Sequence, residues 1–424
     1  MHHDFVTKSQ HSPGSMPGVD SVTRHPDHAA PDDSGRLRIA VVTETYPPEV
    51  NGVAMTIGRI VRGLVQRGHS VQVVRPRQHR DEQPQSGAGY EEVLVRGVPI
   101  PCYDVLKLGI VSASALRARW SEQRPDVVHI VTEGPLGRAA LSAARALGIA
   151  TSADFHTNFH SYSEHYGVAW LRRPILGYLR RFHNRVHCTM VPTPALRDEL
   201  GRLGFRHLQI VSRGVDTRLF EPARRSLALR RQWGAAADDP VVLYVGRLAP
   251  EKNLPLLFDA YEAMRAREPR TRLVIVGDGP SRAALERSAT PAYFAGIRTG
   301  EDLAAHYASA DLFLFPSLTE TYGNVTVEAM SSGLAVVAFH YAAAAAHIRH
   351  ERNGIAVPVG SAAEFVRLAS ALVSDRVRIA RLGTQARLTA EQLEWGRIVA
   401  DFERTLVHLV MSDERHELTP CVSA

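Results

Sequence analysis

Short apolar runs alternate with helical patterns along most of the chain, and that alternation constrains the fold more than any other feature. The first run is Leu37-Arg38-Ile39-Ala40-Val41-Val42; a Pro/Asn/Gly loop, an apolar-periodic helix and a second run from Val71 to Val74 follow. Further strands are expected at Val127 to Val131, Thr151 to Phe155 and Thr189 to Val191, with helical patterns between them. A second series opens at Val241 to Val245, continues at Leu273 to Val276 and reaches Asp311 to Phe315. Strand, helix, strand in that order needs a crossover and therefore parallel pairing, so the fold class is α/β.

The 424 residues exceed one comfortable core and suggest two domains of about 150 to 200 residues. The turn-rich stretch SRGVDTRLFEP, Ser212 to Pro222, has the residues of a crossing between them. Residues 1–35 are rich in His, Pro, Ser and Asp and poor in large aliphatics, so they are expected to form a disordered tail. No apolar run approaches the roughly 20 residues that span a bilayer, and the first residues lack a signal-peptide core, so a cytoplasmic location is expected. Cys102, Cys188 and Cys421 are odd in number and far apart, which argues for a reducing compartment, without a disulfide framework or a tetrahedral metal site.

The strand ends of the second series carry the best candidates for polar chemistry. Pro316 and Ser317 break the Asp311–Phe315 run, and FPSLTETYGNVTVEAMSSG then leads into a helix over Val325 to Met330. Glu320 falls on the loop and Glu328, eight positions on, near the helix start. Parallel α/β sheets bind ligands at such ends, so the two carboxylates could address different parts of one ligand. They could equally be a solvated loop acid and a helix acid favoured by the macrodipole. The strand Val241–Val245 ends in GRLAPEKN, where Gly246 permits a tight exit and Arg247 and Lys252 flank a loop before a helix beginning near Asn253 or Leu254. An arginine fork and a lysine point charge suit a diphosphate, although charged surface loops are common.

A net charge of +6 is a moderate basic excess, and part of it is concentrated. Between Trp170 and His187 the chain reads WLRRPILGYLRRFHNRVH, with five arginines, no carboxylate and interleaved apolar residues. Such a segment could lie on an anionic membrane surface, or be a helix with its apolar face inward and its arginines in water; Pro174 limits its continuity. No nucleic acid partner is expected, since no binding module accompanies the charge.

The ordered set GRLAPEKN, VGDGP and ADLFLFPSLTETYGNVTVEAMSSGLAVVA resembles the GT-B glycosyltransferases of family 4. TETYPPEVNGV and ADFHTNFHSYSEHYG resemble its bacterial members, so the similarity runs from about Arg36 to Val410. The resemblance implies GT-B architecture: two Rossmann-like domains with parallel sheets facing across a cleft, the acceptor on the first and the nucleotide on the second. Domain limits of 36–212 and 213–390 are expected, with a helix over 391–412 crossing back to the first domain and a flexible tail at 413–424.

The activity implied is transfer of a hexosyl group with retention at the anomeric carbon. Glu328 would accept from the ribose hydroxyls, Glu320 would contact the donor sugar, and Arg247 and Lys252 would hold the diphosphate. Backbone amides around Thr321, Tyr322, Gly323 and Asn324 would assist, with Gly52 beside the phosphates. His156 would stand at the reacting centre, and Thr157, Asn158, His160 and Tyr162 would either shape the acceptor side or only pack the loop. No metal and no other cofactor is implied, because the two cations can supply the electrostatics of a divalent ion. Two departures from the family pattern, Asn51 where relatives place a glycine and the YAAAAAHIRHERNG stretch, bear on donor preference. Asn51 was expected to turn the loop through left-handed angles.

The resemblance favours GDP-mannose as donor and a membrane-lipid or glycan acceptor, with the enzyme peripheral on the inner face of the plasma membrane. UDP-glucose or UDP-glucuronate with diacylglycerol, a GT-B-shaped sugar-nucleotide epimerase and a non-catalytic nucleotide-binding module are the alternatives. The epimerase would convert free donor, and the module would bind without turnover.

Overall fold

A computed structural model describes residues 35–49, 51–100, 103–156 and 172–417. Nine strands of the N-terminal half join one sheet among these residues: β1 (Arg38–Val42), β2 (Ser70–Pro76), β3 (Ser86–Gly87), β4 (Tyr90–Ile100), β5 (Tyr103–Ile110), β6 (Val127–Ile130), β7 (Ala150–Asp154), β8 (Cys188–Val191) and β9 (Leu208–Ile210). Their order is β3-β4-β2-β1-β6-β7-β8-β9, with β5 paired to β4. Strand β1 lies parallel between β2 and β6 and is almost wholly buried, because helices cover both faces of a parallel sheet. Strands β3 to β5 and β9 escaped the sequence reading. In YEEVLVRGVPI paired glutamates, Arg96, Gly97 and Pro99 interrupt the apolar residues, as befits a half-exposed strand that turns antiparallel into β5.

The second sheet has six parallel strands among the described residues: β10 (Val241–Val245), β11 (Arg272–Val276), β12 (Tyr293–Gly296), β13 (Leu312–Phe315), β14 (Ala335–Phe339) and β15 (Ile355–Val357). The order β12-β11-β10-β13-β14-β15 is that of a Rossmann sheet, in which the order of strand addition reverses between the first and fourth strands. Here those are β10 and β13, and the crevice above their C-terminal ends is where such sheets take ligands. The VVLYV and LFLF runs of these two strands are buried throughout and form the middle of the domain core.

The chain passes between the domains twice, and the two passages touch. Val215 donates its amide to Leu393 O at 2.9 Å and bridges to Glu394. A helix over Trp395–Glu417 then lies on the first domain, burying Val399, Phe402, Leu406 and Val410 against the core that contains Ile57, Ile60 and Leu64. Glu403 on this helix meets Arg67 at 2.6 Å and the buried His69 at 2.7 Å, so its carboxyl sits below the ordinary range despite partial burial. The helix extends five residues past the expected end at 412, through Asp-Glu-Arg-His-Glu, of which Glu and Arg propagate a helix well. Of the tails, residues 1–34 and 418–424 lie outside the described residues, as do Cys102, Thr157, Asn158, His160 and Tyr162.

Candidate active site

The loop leaving β10 and the loop leaving β13 converge on one ion pair. After β10 the chain makes a 3-10 turn over Pro250–Lys252, and Asn253, with φ +53°, swings it into the helix Leu254–Arg267. Asn253 Nδ2 donates to Pro316 O at 3.3 Å, which ties the two loops together. Lys252 Nζ then lies 2.5 Å from Glu320 Oε1, which also accepts from Ser317 Oγ at 2.8 Å. Both side chains are only 16% exposed, so the pair is shielded, which strengthens it relative to a surface salt bridge. Arg247 stands on the rim at 48% exposure, 3.8 Å from Glu251. The loop itself needs Gly277: a Cβ there would lie 2.0 Å from Gly246 O, so only glycine lets the ends of β10 and β11 close up.

The second glutamate lies in different surroundings. The helix Asn324–Ser331 starts at Gly323, whose φ of +85° costs glycine little, and no side chain caps it. Among the described residues nothing accepts from the amides of Thr321, Tyr322, Gly323 and Asn324, so this end presents open N–H donors suited to an anion. Glu328 is the fifth residue of the helix, which starts one residue before the expected Val325. Its Oε2 accepts from the buried Tyr307 hydroxyl at 3.0 Å. Burial pushes its carboxyl up to about 7, against the lowering effects of the Tyr307 bond and the charge of Arg59.

The first domain meets these loops at two points. Thr321 Oγ1 donates to the backbone oxygen of His156 at 2.9 Å, across the cleft. Gly52 faces Asn324, whose Nδ2 is 3.7 Å from where a Cβ on Gly52 would be, and whose buried Oδ1 has no hydrogen-bond partner. Asn51 adopts extended angles, φ −144°, which corrects the left-handed expectation. Its carboxamide oxygen accepts from Val53 N and Ala54 N, capping the helix Gly52–Gln66, while Nδ2 donates to Thr45 Oγ1 at 2.7 Å. Both ends of the Asn51 carboxamide are therefore engaged within its own domain, the oxygen on the cap and the nitrogen on Thr45.

His156 follows β7 and has a charged group beside each ring nitrogen. Arg213 Nη2 donates to Nδ1 at 2.6 Å, whereas Nε2 lies 3.2 Å from Asp154 Oδ2, near enough for charge attraction but not aligned as a hydrogen bond. Burial opposes charge on Asp154, yet His129 and His156 beside it hold the carboxyl well below the usual range. Burial lowers the His156 pKa, Asp154 raises it and Arg213 lowers it again; the net shift is downward, so the ring is neutral at pH 7. The Tyr322 side chain is buried: its hydroxyl donates to Arg213 O at 3.0 Å and meets His347 Nε2 at 2.9 Å.

Thus Lys252, Glu320 and the open amides of 321–324 come together, Glu328 lies beneath them, Gly52 and His156 face them, and Arg247 waits at the rim. Arg213, Asp154, Tyr307 and Arg59 were missed in the sequence. Asp154 was findable, because residues two apart at a strand end share a face with His156. Arg213 was not, because only the fold brings it across 57 positions to the imidazole.

Residues 50–219 match Glycosyltransferase Family 4, and residues 239–375 match Glycosyl transferases group 1. The chain is 35% identical to a GDP-mannose-dependent alpha-mannosyltransferase of Mycobacterium tuberculosis, covering 76% of this chain and 84% of that protein. A protein of the same name from Corynebacterium glutamicum is 31% identical, over 90% of this chain and 92% of its own length. Among solved structures, sucrose-phosphate synthase from Thermosynechococcus elongatus superposes with a TM-score of 0.74 at 18% identity, covering 89% of this chain and all of that one, which shows the GT-B fold. The chain belongs to glycosyltransferase family 4 and is a hexosyltransferase.

Proposed function

We propose that this enzyme transfers mannose from GDP-mannose, with retention of anomeric configuration, to a glycolipid acceptor at a membrane surface. The observation that carries it is the shielded Lys252–Glu320 pair beneath the open amides of 321–324, at the β10/β13 crevice. The donor choice draws on the mannosyltransferase relatives, which cover most of the chain.

A diphosphate entering the crevice takes Lys252 away from Glu320 and draws Arg247 in from the rim. Glu320, released, accepts from hydroxyls of the transferred sugar. The amides of Thr321, Tyr322, Gly323 and Asn324 receive the phosphate oxygens. Glu328 accepts from the ribose hydroxyls. The bond from the anomeric carbon to the phosphate oxygen breaks as the acceptor oxygen bonds on the same face, and the acceptor proton passes to the departing phosphate. Charge accumulates on the diphosphate at that moment, and Lys252 and Arg247 are placed to stabilise it. These two cations take the part a divalent ion plays elsewhere, so chelation should leave turnover unchanged. His156, neutral and fixed, walls the reacting centre from the acceptor side.

The membrane part of the reading draws on the first domain. The helix Arg172–His183 buries Leu179 and Phe182 and exposes Arg173, Arg180 and Arg181. A groove of about 790 Å³ beside it is lined by Arg138, Arg145, Arg181 and Arg185 with Leu141 and Phe182, and by no carboxylate. No helix among the described residues is long and apolar enough to cross a membrane, so the surface contact proposed is peripheral, on the cytoplasmic face. Nucleic acid plays no part.

Purified protein with a lipid extract and GDP-mannose, UDP-glucose or UDP-glucuronate in turn tests the reaction by mass spectrometry of the lipids. Hexosylated lipid from GDP-mannose supports the reading; product only from a UDP-sugar overturns the donor, and conversion of free donor without lipid product overturns the transfer. Flotation with anionic vesicles tests the surface: neutralising Arg173, Arg180 and Arg181 together should release the protein.

A further inference from the structure

We infer that Arg213 is the positioning residue that fixes the His156 imidazole in one tautomer and locks it to the donor loop. Arg213 lies on the crossing between the domains, 8% exposed. Its guanidinium donates to His156 Nδ1 at 2.6 Å. A guanidinium has no acceptor and does not deprotonate, so Nδ1 must offer its lone pair and the ring proton must sit on Nε2, 3.2 Å from Asp154 Oδ2 but outside hydrogen-bond alignment, which leaves the Arg213 bond as the contact that sets the tautomer. The same guanidinium stacks on the Tyr322 ring, 5.8 Å to the centroid, and the Tyr322 hydroxyl donates back to Arg213 O at 3.0 Å. Thr321, the next residue along, donates to His156 O at 2.9 Å. His156, Arg213, Tyr322 and Thr321 therefore close a ring of contacts that runs out of the first domain, along the crossing and back from the donor loop.

Such a ring does what separate packing cannot. The loop whose amides await the phosphate is registered against the imidazole on the acceptor side, and displacing one member loosens the others. A misplacement of about 1 Å between reacting groups costs on the order of a hundredfold in rate, so this registration bears on turnover more than on donor affinity. The charged and titratable groups around the imidazole are Asp154 on β7, His129 on β6, whose Nε2 is 3.5 Å from the same Asp154 oxygen, and Glu133 after β6. Arg213 completes the set, with Glu320 beyond it. Without Arg213, Asp154 becomes the dominant neighbour, and the imidazole can then take a second proton at higher pH.

Two measurements on the full-length protein test this. The first is the 15N shifts of the His156 ring against pH, assigned by loss of the signal in His156→Asn. Wild type should show one tautomer, protonated on Nε2; Arg213→Gln should show mixed tautomers titrating at higher pH, and Arg213→Lys, which keeps a donor cation, should restore the wild-type pattern. The second is transfer kinetics. Arg213→Gln should lower kcat roughly tenfold or more while the donor KM stays within about twofold, and should add little to His156→Asn. The kinetic arm depends on the proposed transfer reaction, whereas the ring-nitrogen shifts do not. A wild-type tautomer and titration in Arg213→Gln, or rate losses that multiply in the double variant, would overturn the assignment. Should Arg213→Gln not fold, Arg213→Lys decides: a wild-type tautomer pattern supports the inference, and a single Nδ1-protonated form refutes it.

Discussion

The donor face and the acceptor face of this enzyme solve the same problem, holding charge in a shielded cleft, in opposite ways. On the C-terminal domain the charged groups pair with each other and can be exchanged: Lys252 grips Glu320 now and can grip a diphosphate later. On the N-terminal domain the pairing is fixed, with His156 clamped between Asp154 and Arg213 and all three buried or nearly so. A site that must admit and release a dianion needs cations whose partner is replaceable. A wall against which that dianion reacts needs groups that do not move. The same division separates the two glutamates that share a loop and a helix. Glu320 answers to a cation, while Glu328 answers to a tyrosine hydroxyl and is pushed up to about 7 by burial.

That contrast can be broken from either side, and the largest effect belongs to the exchangeable pair. Lys252→Ala removes a charge-assisted contact to the leaving group worth about 1.5 to 3 kcal/mol and leaves Glu320 unpaired. Turnover should fall by about a hundredfold, measured as GDP release under saturating acceptor. Glu320→Gln keeps the shape and loses the charge; kcat should drop roughly tenfold or more with a smaller change in donor KM. Glu328→Gln should do the reverse, raising donor KM by roughly tenfold with kcat nearly kept. Identical kinetic profiles for the two glutamine variants would end the division of labour.

The sign of the pH effect follows from the raised carboxyl of Glu328. Below about pH 7 the group is protonated and a poorer acceptor for ribose hydroxyls, so donor KM should fall as pH rises from 6 to 8 and should be flat in Glu328→Gln. The folded protein prefers the protonated form, so its stabilising contribution is full below the unfolded value of 4.5 and is lost as pH rises through about 7. Glu328→Gln should therefore melt higher than wild type at pH 8 and no higher at pH 4. The smallest effect is local: Asn51→Ala removes the cap of the Gly52–Gln66 helix and should cost about 1 kcal/mol in chemical denaturation.

The donor face was legible in the sequence because its parts are close in the chain and obey strong local rules. The buried strands β10, β11 and β13 read as apolar runs, although β12, β14 and β15 of the same sheet went unread, and the loops after Val245 and Phe315 carry the charges. The edge of the first sheet was less legible, since β3 to β5 mix polar and apolar residues without a clear period and take their order from antiparallel pairing. Arg213 was invisible for a deeper reason. Its partner is chosen by how the crossing returns under the cleft, and nothing in SRGVD signals an imidazole. Asn51 was misjudged because its oxygen caps a helix, a role that keeps the backbone extended.

The most direct test of the central claim is transfer by wild type and Lys252→Ala with GDP-mannose and a lipid extract, following the anomeric proton of the product by NMR. Wild type should give an α-mannosylated lipid, the configuration of the donor, at a rate about a hundredfold above the variant. A product of inverted configuration, or equal rates from the two proteins, would contradict the account.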